Sequence, residues 1–289
     1  MRILVFRGGA LGDFLVTLPA LALLRSRWPD ARIELVGNPT AAPLGVEAKV
    51  LDVVHSQHEA RWGALCDAAP LPPSLATALA AFDLVVNYWP DPDGELGRKF
   101  PVRPGQIFLS RSAIPAVGPA AAHYCAALRP LDLLPGSLLF QLRVPTPEPR
   151  LVAIHPGSGS PRKNWPADRW LALAHWLEDE LRARVLVITG EAEPADLLAN
   201  VRRHLRNRPL SEVADHLARC RFFLGHDSGV SHLAAAAGIP GLVLFGPTDP
   251  AIWAPPSPQV RVLKSGPEVS AISLADAQQA ARLALPDLA

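Results

Sequence analysis

Short apolar runs alternate along this chain with glycine-rich turns and with segments of helical periodicity. The clearest example covers residues 222–250, where an apolar run at 222–224 predicts a buried strand. Small residues at 230–237 predict the helix that follows, and residues 241–245 predict the next parallel strand. The segment is therefore a βαβ unit, which predicts an α/β fold.

The first half of the chain follows the same pattern. Strands are predicted at residues 2–6, 32–36, 53–54, 84–87 and 107–109, with helices near residues 74–80 and 120–128. A further helix is predicted from the turn at residues 8–13 to about residue 27. Its first turns are expected to be irregular, because Pro19 has no backbone N–H to donate within a helix.

A linker divides the chain. Residues 143–150 contain three prolines and no apolar run, so we assign one Rossmann-like domain to residues 1–145 and another to residues 146–289. In the second domain, strands are predicted at residues 151–155 and 184–189, and helices at 168–181, from 194 to about 205, at 210–219 and at 273–285. The last helix is a candidate to pack back onto the N-terminal domain.

Composition and charge narrow the class of protein. The 28 basic and 27 acidic residues nearly balance, so no overall field attracts nucleic acid. The three cysteines lack CxxC spacing, which fits reduced thiols and a cytoplasmic protein. No apolar run reaches the roughly 18 to 20 residues that a membrane span needs, so any membrane contact is expected to be peripheral. We expect a monomer.

Two turns in the C-terminal domain have the chemistry of anion sites. The sequence GHDSG at residues 225–229 lies between a strand and a helix, where free amides and a helix dipole favour a phosphate. Small hydroxyl residues with Arg162 and Lys163 follow the strand at residues 151–155 and form a second such turn. Two anion sites in one domain suggest a diphosphate.

Each turn also has a purely structural interpretation. Asp227 or Ser228 can cap the helix that follows without any ligand. Lys163 can be a solvated surface lysine, and Trp165 can be a hydrophobic plug under its loop. The pattern of these two segments leaves both interpretations open.

The first glycine-rich turn, GGALGD at residues 8–13, lets a ligand approach the backbone. It is not a dinucleotide motif, because GxGxxG is absent and the second strand ends in Gly37 and Asn38 rather than in an acid. Asp13 places a carboxylate at a helix start on the edge of an expected cleft. Its alternative role is that of a first-turn acid that complements the helix dipole.

Other acidic residues allow two interpretations each. Glu191 and Glu193 follow a strand, where a carboxylate can accept hydrogen bonds from a ribose, but Glu193 can equally be the acid of a helix start. Asp91 and Asp93 form the string DxD, which can hold a metal ion. Asp-Pro and Asp-Gly are also turn dipeptides, and we favour the turn over a metal site.

Short motifs in both halves match a known family in their order along the chain. They are MRIL at residues 1–4, GD at 12–13, TLPAL at 17–21, HPGS at 155–158, KNWP at 163–166, DSGVSHL at 227–233 and GPTDP at 246–250. Together they resemble the ADP-heptose:lipopolysaccharide heptosyltransferases and their relatives in glycosyltransferase family 9. Residues from about 38 to 131 match no motif of that family, and an acceptor would be chosen there.

The resemblance implies a GT-B fold, in which two Rossmann-like domains with parallel sheets face one another across a cleft. The donor would be a nucleotide sugar, by analogy an ADP-sugar, and would bind the C-terminal domain, whereas a saccharide or glycolipid acceptor would bind the N-terminal one. The activity would be an inverting, metal-independent sugar transfer without a cofactor. It would take place in the cytoplasm or at the inner face of the cytoplasmic membrane.

The resemblance also implies roles for individual residues. Asp13 would be the general base, with Gly9 and Gly12 on the acceptor side, and Lys163 would stabilise the departing diphosphate. Glu193, or its competitor Glu191, would bind the ribose, and Leu210 would lie against the base. The remaining residues expected to hold the diphosphate are Ser158, Gly159, Asp227, Ser228, Gly229 and His232. His226 is expected to be a packed residue.

Three other classes of function fit part of the pattern. A different GT-B nucleotide-sugar enzyme, such as an epimerase or hydrolase, stays open, as does a catalytically silent glycan-binding relative. The silent relative is disfavoured because it has no chemical reason to keep Asp13 and Lys163. A serine hydrolase is excluded because GHDSG has its serine in the fourth place, whereas the nucleophile motif GxSxG needs it in the third.

Overall fold

The computed structural model describes residues 1–194, 196–198 and 200–285. The chain divides into two compact units, Met1–Phe140 and Gln141–Ala289. Each unit has its own parallel sheet and its own hydrophobic core. Within the described ranges, no helix is both long enough and apolar enough to cross a membrane.

The first unit contains a five-stranded parallel sheet. Its strands are β1 (Arg2–Arg7), β2 (Arg32–Gly37), β3 (Val53–Ser56), β4 (Leu84–Asn87) and β5 (Ile107–Ser110). Its helices are α1 (Leu11–Leu15), α2 (Leu18–Arg27), α3 (Pro43–Glu47), α4 (Pro73–Ala80), α5 (Glu95–Arg98) and α6 (Ala120–Cys125), with 3-10 helices at Ala60–Leu65 and Ala126–Leu131. The strand order is β3-β2-β1-β4-β5, so the two most apolar strands, β1 and β4, lie in the middle.

The second unit contains a six-stranded parallel sheet. Its strands are β6 (Leu151–His155), β7 (Arg184–Thr189), β8 (Arg203–Arg206), β9 (Phe222–His226), β10 (Gly241–Leu244) and β11 (Val260–Leu263). Its helices are α7 (Ala167–Asp179), α8 (Leu210–Ala218), α9 (Gly229–Ala236), α10 (Pro250–Trp253) and α11 (Leu274–Ala284), with 3-10 helices at Pro161–Lys163 and Val269–Ala271. The strand order is β11-β10-β9-β6-β7-β8.

The helix after the first turn is interrupted, as predicted. Helix α1 ends at Leu15, and α2 begins at Leu18 with Pro19 as its second residue, where the missing N–H costs no hydrogen bond. The Thr17 hydroxyl donates to the Asp13 carbonyl at 2.8 Å across the break. The interruption therefore separates a short helix that carries Asp13 from the long helix that packs on the sheet.

Two parts of the second unit differ from the predictions. The helix predicted from residue 194 to about 205 is wrong at its end, because Arg203–Arg206 form strand β8; residues 195 and 199 of that segment lie outside the described residues. The strand Val260–Leu263 was not predicted. Both are edge strands of only four residues, and β8 has a single apolar residue, Leu205, so neither gives a clear strand pattern in the sequence.

The last helix packs against the core of the second sheet. Helix α11 begins with a capping box, in which the Ser273 hydroxyl accepts from the Asp276 amide at 3.1 Å. Its buried residues Ala277 and Ala281 join the core of the second sheet, beside α7 and β10. The small alanine side chains let the helix lie close to its neighbours.

Both sheets reverse their strand order beside their first strand. In the first unit, β2 and β4 lie on opposite sides of β1, and in the second unit β7 and β9 lie on opposite sides of β6. In parallel α/β sheets, the loops at the carboxyl ends of these strands diverge and leave a crevice where ligands bind. The turns that hold Asp13 and Lys163 follow β1 and β6, so each is at such a point.

Candidate active site

Three loops of the second unit meet at one carboxylate. The Lys163 ammonium donates to Oδ2 of Asp227 at 2.7 Å, and the Thr248 hydroxyl donates to the same oxygen at 2.7 Å. The lysine side chain is 30% exposed and the aspartate side chain 9% exposed. These residues follow β6, β9 and β10, so the fold brings together segments that are far apart in the sequence.

His226, the last residue of β9, connects the loop after β9 to the loop after β6. Its Nε2 accepts from the Trp165 amide at 2.7 Å and from the Trp170 indole N–H at 3.1 Å, and its Nδ1 lies 3.3 Å from the Gly157 carbonyl. Burial lowers the pKa of His226 to about 3, so the ring is neutral and Nδ1 is the donor. The packed role predicted for His226 is confirmed by its complete burial.

Trp165 is the predicted hydrophobic plug. Its ring is 2% exposed, and its indole N–H donates to the Ile272 carbonyl at 2.8 Å. It meets Trp170 edge to face, with ring centroids 5.3 Å apart. The loop that carries Lys163 therefore rests on a rigid aromatic base.

The turn after β6 is shaped by its serine. The Ser158 hydroxyl lies 2.7 Å from Oδ1 of Asn164 and 2.8 Å from the Ser160 carbonyl, so it closes the loop on itself. Gly159 is exposed, and a Cβ there would meet nothing within 4 Å. Two of the residues predicted to hold a diphosphate lie in this turn: the Ser158 hydroxyl is occupied within the loop, and Gly159 is exposed.

The start of α9 is not capped as the sequence suggested. Ser228 is the N-cap residue, but its side chain makes no capping hydrogen bond, and the Asp227 carboxylate bonds to Lys163 instead. Gly229, the first residue of α9, is half-buried. The His232 ring, also expected near a diphosphate, donates from Nε2 to the Trp253 carbonyl at 3.1 Å.

Glu193 and Glu191 occupy different environments. Glu193 is 7% exposed, and its Oε2 accepts from the Gly190 amide at 2.6 Å. Its carboxylate lies against Gly157, where an added Cβ would be 2.0 Å from Oε1. Glu191 is exposed, and Leu210 begins helix α8 in a half-buried position. The structure therefore brings Glu193 to the turn after β6, while the ribose contact itself stays a prediction.

In the first unit, Asp13 is held at both carboxylate oxygens. Oδ1 accepts from the Arg7 guanidinium at 2.7 Å, and Oδ2 accepts from the Ala10 amide at 2.9 Å. Arg7 is the last residue of β1, and its side chain is only 5% exposed. The sequence reasoning missed Arg7, although an arginine that ends a buried strand beside a glycine-rich turn is a usable signal.

Gly9 makes the position of Asp13 attainable. Its φ is +102°, in the region that favours glycine, and an added Cβ would lie 2.4 Å from Oδ2 of Asp13. Gly12 is the second residue of α1 and is half-buried. The turn thus bends back far enough for the carboxylate to cover Gly9.

A pocket of about 460 Å³ opens at the carboxyl ends of β4 and β5 in the same unit. Its wall includes Trp89, Ser110, Arg111 and the segment that ends at Ile114. The Trp89 indole nitrogen would lie 3.2 Å from a Cβ on Gly8, so the pocket borders the turn that carries Asp13. Its volume is in the range of small-ligand pockets.

The DxD string forms a turn beside this pocket. Asp91 accepts from the Leu96 amide at 3.0 Å with Oδ1 and from the Gly97 amide at 2.9 Å with Oδ2, at the start of α5. Both carboxylate oxygens therefore serve the backbone. Among the residues that the structure describes, no group of three or more histidine, cysteine, aspartate or glutamate side chains is placed to hold a metal ion.

The turns that hold Asp13 in the first unit and Lys163 in the second mark the protein as a candidate group-transfer enzyme of the α/β class, and comparison with known proteins identifies the family. The model of glycosyltransferase family 9 (heptosyltransferase) matches residues 135–280, slightly more than half of the chain. The chain belongs to glycosyltransferase family 9. The matched residues cover the Lys163 and Asp227 turns, whereas the Asp13 turn lies outside the match.

Curated relatives agree with this family. Lipopolysaccharide heptosyltransferase 2 of Escherichia coli (strain K12) is 26% identical over 311 residues, which cover 91% of this chain and 88% of the relative. Lipopolysaccharide heptosyltransferase 1 of the same strain is 35% identical over 96 residues, 31% of this chain and 30% of the relative.

Solved structures share the fold along the whole chain. A family 9 glycosyl transferase from Veillonella parvula superposes with a TM-score of 0.78 at 21% identity and covers 99% of this chain and 97% of its own. The Escherichia coli heptosyltransferase WaaC with ADP gives a TM-score of 0.74 at 19% identity, covering 98% and 100%. The predicted α/β fold of the GT-B type is confirmed.

Proposed function

We propose that this glycosyltransferase moves a sugar, heptose or a related one, from an ADP-linked donor to a saccharide or glycolipid acceptor with inversion at the anomeric carbon. The observation that carries the proposal is the junction of Lys163, Asp227 and Thr248 at the carboxyl ends of three parallel strands. Relatives named heptosyltransferases, one of them solved with ADP, support the donor class. The reaction belongs to cell-surface glycan synthesis.

The donor diphosphate lies, in this proposal, between the turns after β6 and β9. Lys163 supplies the positive charge, and the amino end of α9 adds backbone N–H groups and the positive end of its dipole. Asp227 keeps the ammonium in place, which matters because a free lysine side chain has many rotamers. In this proposal Glu193 accepts hydrogen bonds from the ribose and Leu210 contacts the base.

The chemical step requires a base for the acceptor and stabilisation of the leaving group. Asp13 takes the proton of the attacking acceptor hydroxyl as the new glycosidic bond forms to the anomeric carbon. The bond from that carbon to the diphosphate oxygen breaks on the opposite side, so the configuration inverts. Lys163 balances the charge that develops on the departing ADP. Neither role needs a metal ion or another cofactor.

The acceptor sugar occupies, in this proposal, the pocket of about 460 Å³ at the ends of β4 and β5. The Trp89 ring in the pocket wall can pack against a sugar ring, and the Ser110 hydroxyl, which accepts from Asn87 at 3.1 Å, can donate its own proton to a sugar hydroxyl. The same pocket borders the Asp13 turn at Gly8. We propose a monomer that works in the cytoplasm, with peripheral contact to the membrane when the acceptor is a glycolipid.

Two measurements test the proposal. Calorimetry with ADP, UDP and GDP should show preferential binding of ADP. When the protein is incubated with ADP-heptose, ADP should be released faster in the presence of heptose-deficient lipopolysaccharide than in its absence. Glycan product identifies a transferase, whereas release to water alone identifies a hydrolase and binding without release a silent relative. Absence of ADP binding contradicts the donor assignment.

The variant Asp13→Asn tests the base. It keeps the shape of the side chain but removes the proton acceptor, so transfer should fall by roughly 10²- to 10⁴-fold while ADP affinity stays unchanged. Asp52→Asn is a matched control, because Asp52 also accepts from an arginine, Arg25 at 2.6 Å, and from a backbone amide, Ile33 at 2.7 Å. Transfer by Asp13→Asn within about tenfold of the parent, or an equal loss in both variants, excludes Asp13 as the base.

A further inference from the structure

Arg7 ends β1 directly below the Asp13 turn, and nothing in the sequence motifs assigns it a role. We propose that Arg7 is a positioning residue for the transfer reaction, which holds the Asp13 carboxylate in the orientation from which it takes the acceptor proton. The inference rests on the proposed role of Asp13 as the base.

The Arg7 guanidinium makes hydrogen bonds to Asp13, Thr17 and Tyr124 of the same unit. Its Nη2 donates to Oδ1 of Asp13 at 2.7 Å and to the Tyr124 hydroxyl at 2.8 Å, and its Nε donates to the Thr17 hydroxyl at 3.1 Å. The Nε also lies 3.3 Å from the Asp13 carbonyl. With a side chain only 5% exposed, Arg7 is a fixed charge rather than a mobile surface group.

Asp13 is therefore locked at two points. Arg7 holds Oδ1 and the Ala10 amide holds Oδ2, while the carboxylate covers the glycine surface of Gly9. The side chain is still 33% exposed, which leaves an approach for an acceptor hydroxyl. Accurate orientation of a catalytic group is worth several kcal/mol in general, whereas a partly exposed aspartate without these contacts would sample several rotamers.

The positive charge of Arg7 opposes the transfer reaction, whereas the orientation that Arg7 gives to Asp13 favours it. Its attraction to the carboxylate is lost when the carboxylate takes a proton, so the ion pair does not favour the protonated product. The two effects have different signs, and the proposal is that orientation outweighs attraction. Replacement of Arg7 by a neutral residue then slows transfer, whereas dominance of the charge would speed it.

Tyr124 extends the arrangement to the proposed acceptor pocket. Its hydroxyl accepts from Arg7 and donates to the Ala113 carbonyl at 2.8 Å, and Ala113 lies in the wall of that pocket. Burial raises the pKa of Tyr124, so the phenol stays protonated and keeps this donor role. The Tyr88 hydroxyl in turn donates to the Tyr124 carbonyl at 2.8 Å. One chain of hydrogen bonds thus connects the pocket wall with the base.

The test compares Arg7→Met, Arg7→Lys and Tyr124→Phe, each with and without Asp13→Asn. ADP release from ADP-heptose is measured with heptose-deficient lipopolysaccharide and with water as the acceptor. We expect kcat to fall about 10- to 100-fold in Arg7→Met and about 3- to 10-fold in Tyr124→Phe, with KM for ADP-heptose within about threefold. Arg7→Lys should recover part of the loss because it keeps a charged donor.

The Asp13→Asn background separates positioning from general structural support. If Arg7 acts through Asp13, adding Arg7→Met to Asp13→Asn changes the residual rate by less than about twofold. A full multiplication of the two losses overturns the inference, as does a rate for Arg7→Met within about threefold of the parent or above it. If Arg7→Met does not fold, the same comparison is made with Tyr124→Phe, which removes only a hydroxyl.

Controls distinguish this inference from the proposed function. Arg25→Met is the matched variant, since Arg25 also donates to an aspartate and to backbone carbonyls in the same unit, and its rate should stay near that of the parent. If Asp13→Asn itself keeps full activity, the proposed base is wrong. If Asp13→Asn is inactive and Arg7→Met is normal, only the positioning role is wrong.

Discussion

Removal of Lys163 tests the donor site most directly. Its ammonium lies 2.7 Å from Asp227, in a side chain that is 30% exposed, so it is placed but partly solvated. A charge-assisted hydrogen bond contributes about 1.5 to 3 kcal/mol, which corresponds to about 10- to 150-fold in affinity. Lys163→Ala should therefore weaken ADP binding by an amount within this range.

Asp227, the partner of Lys163, determines where in this range the loss of ADP affinity falls. Without the lysine, the Asp227 carboxylate faces the proposed diphosphate with its Oδ2 still accepting from the Thr248 hydroxyl but with no ammonium beside it, and the two negative charges repel. The loss in Lys163→Ala should thus lie toward the upper end. Asp227→Asn removes that repulsion, so the double variant should bind ADP better than Lys163→Ala alone.

Calorimetry with ADP and with adenosine distinguishes a diphosphate contact from a general loss of structure. Adenosine lacks the phosphates, so its affinity should be equal in the parent and in Lys163→Ala. Arg219→Ala is the matched control, because Arg219 is also a cation of the second unit that donates to a carboxylate, Glu148 at 2.6 Å, and it lies outside the proposed donor site. An ADP affinity within about twofold of the parent, or an equal loss for adenosine, refutes the assignment.

Three further predictions concern stability, the ribose and metal ions. Burial lowers the pKa of His226 to about 3, against 6.5 in the unfolded chain, so the stability that the neutral ring contributes is present above pH 6.5 and is lost as the pH falls. The free energy of unfolding in urea should therefore be about 2 kcal/mol lower at pH 5 than at pH 7. His226→Gln should lack this share of the pH dependence. Gly157→Ala should weaken adenosine and ADP binding about equally, because the added Cβ would displace Glu193. Gly136→Ala is the control and should leave both affinities unchanged, since an added Cβ there would meet nothing within 4 Å. Unchanged binding in Gly157→Ala argues against the ribose contact. Transfer should survive excess EDTA, since both oxygens of Asp91 serve backbone amides, and recovery of a lost rate by added manganese would contradict this.

Much of the architecture can be predicted from the order of residues. The apolar runs at Leu151–His155 and Leu84–Asn87 coincide with β6 and β4, because a central strand buried on both faces needs a continuous apolar segment. Edge strands such as β8 and β11 are half-solvated, so their polar residues resemble those of turns. Prediction therefore succeeds in the middle of both sheets and at the edge strands β3 and β5 of the first sheet, and it fails at the edge strands β8 and β11 of the second.

The chemical nature of the candidate site is also readable in short motifs. Glycine, hydroxyl residues and a lysine after a strand indicate an anion site wherever the strand lies in the sheet, because the turn supplies its own backbone donors. The pairing of side chains is a different matter. Lys163 and Asp227 are 64 residues apart, so no local sequence pattern can connect them.

Only the folded chain makes such connections, because parallel strands bring their carboxyl ends to one edge irrespective of their separation along the sequence. Glu193 meets Gly157 through the pairing of β6 with β7, and Arg7 meets Tyr124 across 117 residues. Asp13, for which the local pattern favours a helix-start acid over a base, lies only six residues from its arginine partner, and the tertiary structure decides that this arginine is buried and bonded to Tyr124. Residue types thus specify which chemistry each turn can perform, and long-range packing specifies which turns perform it together.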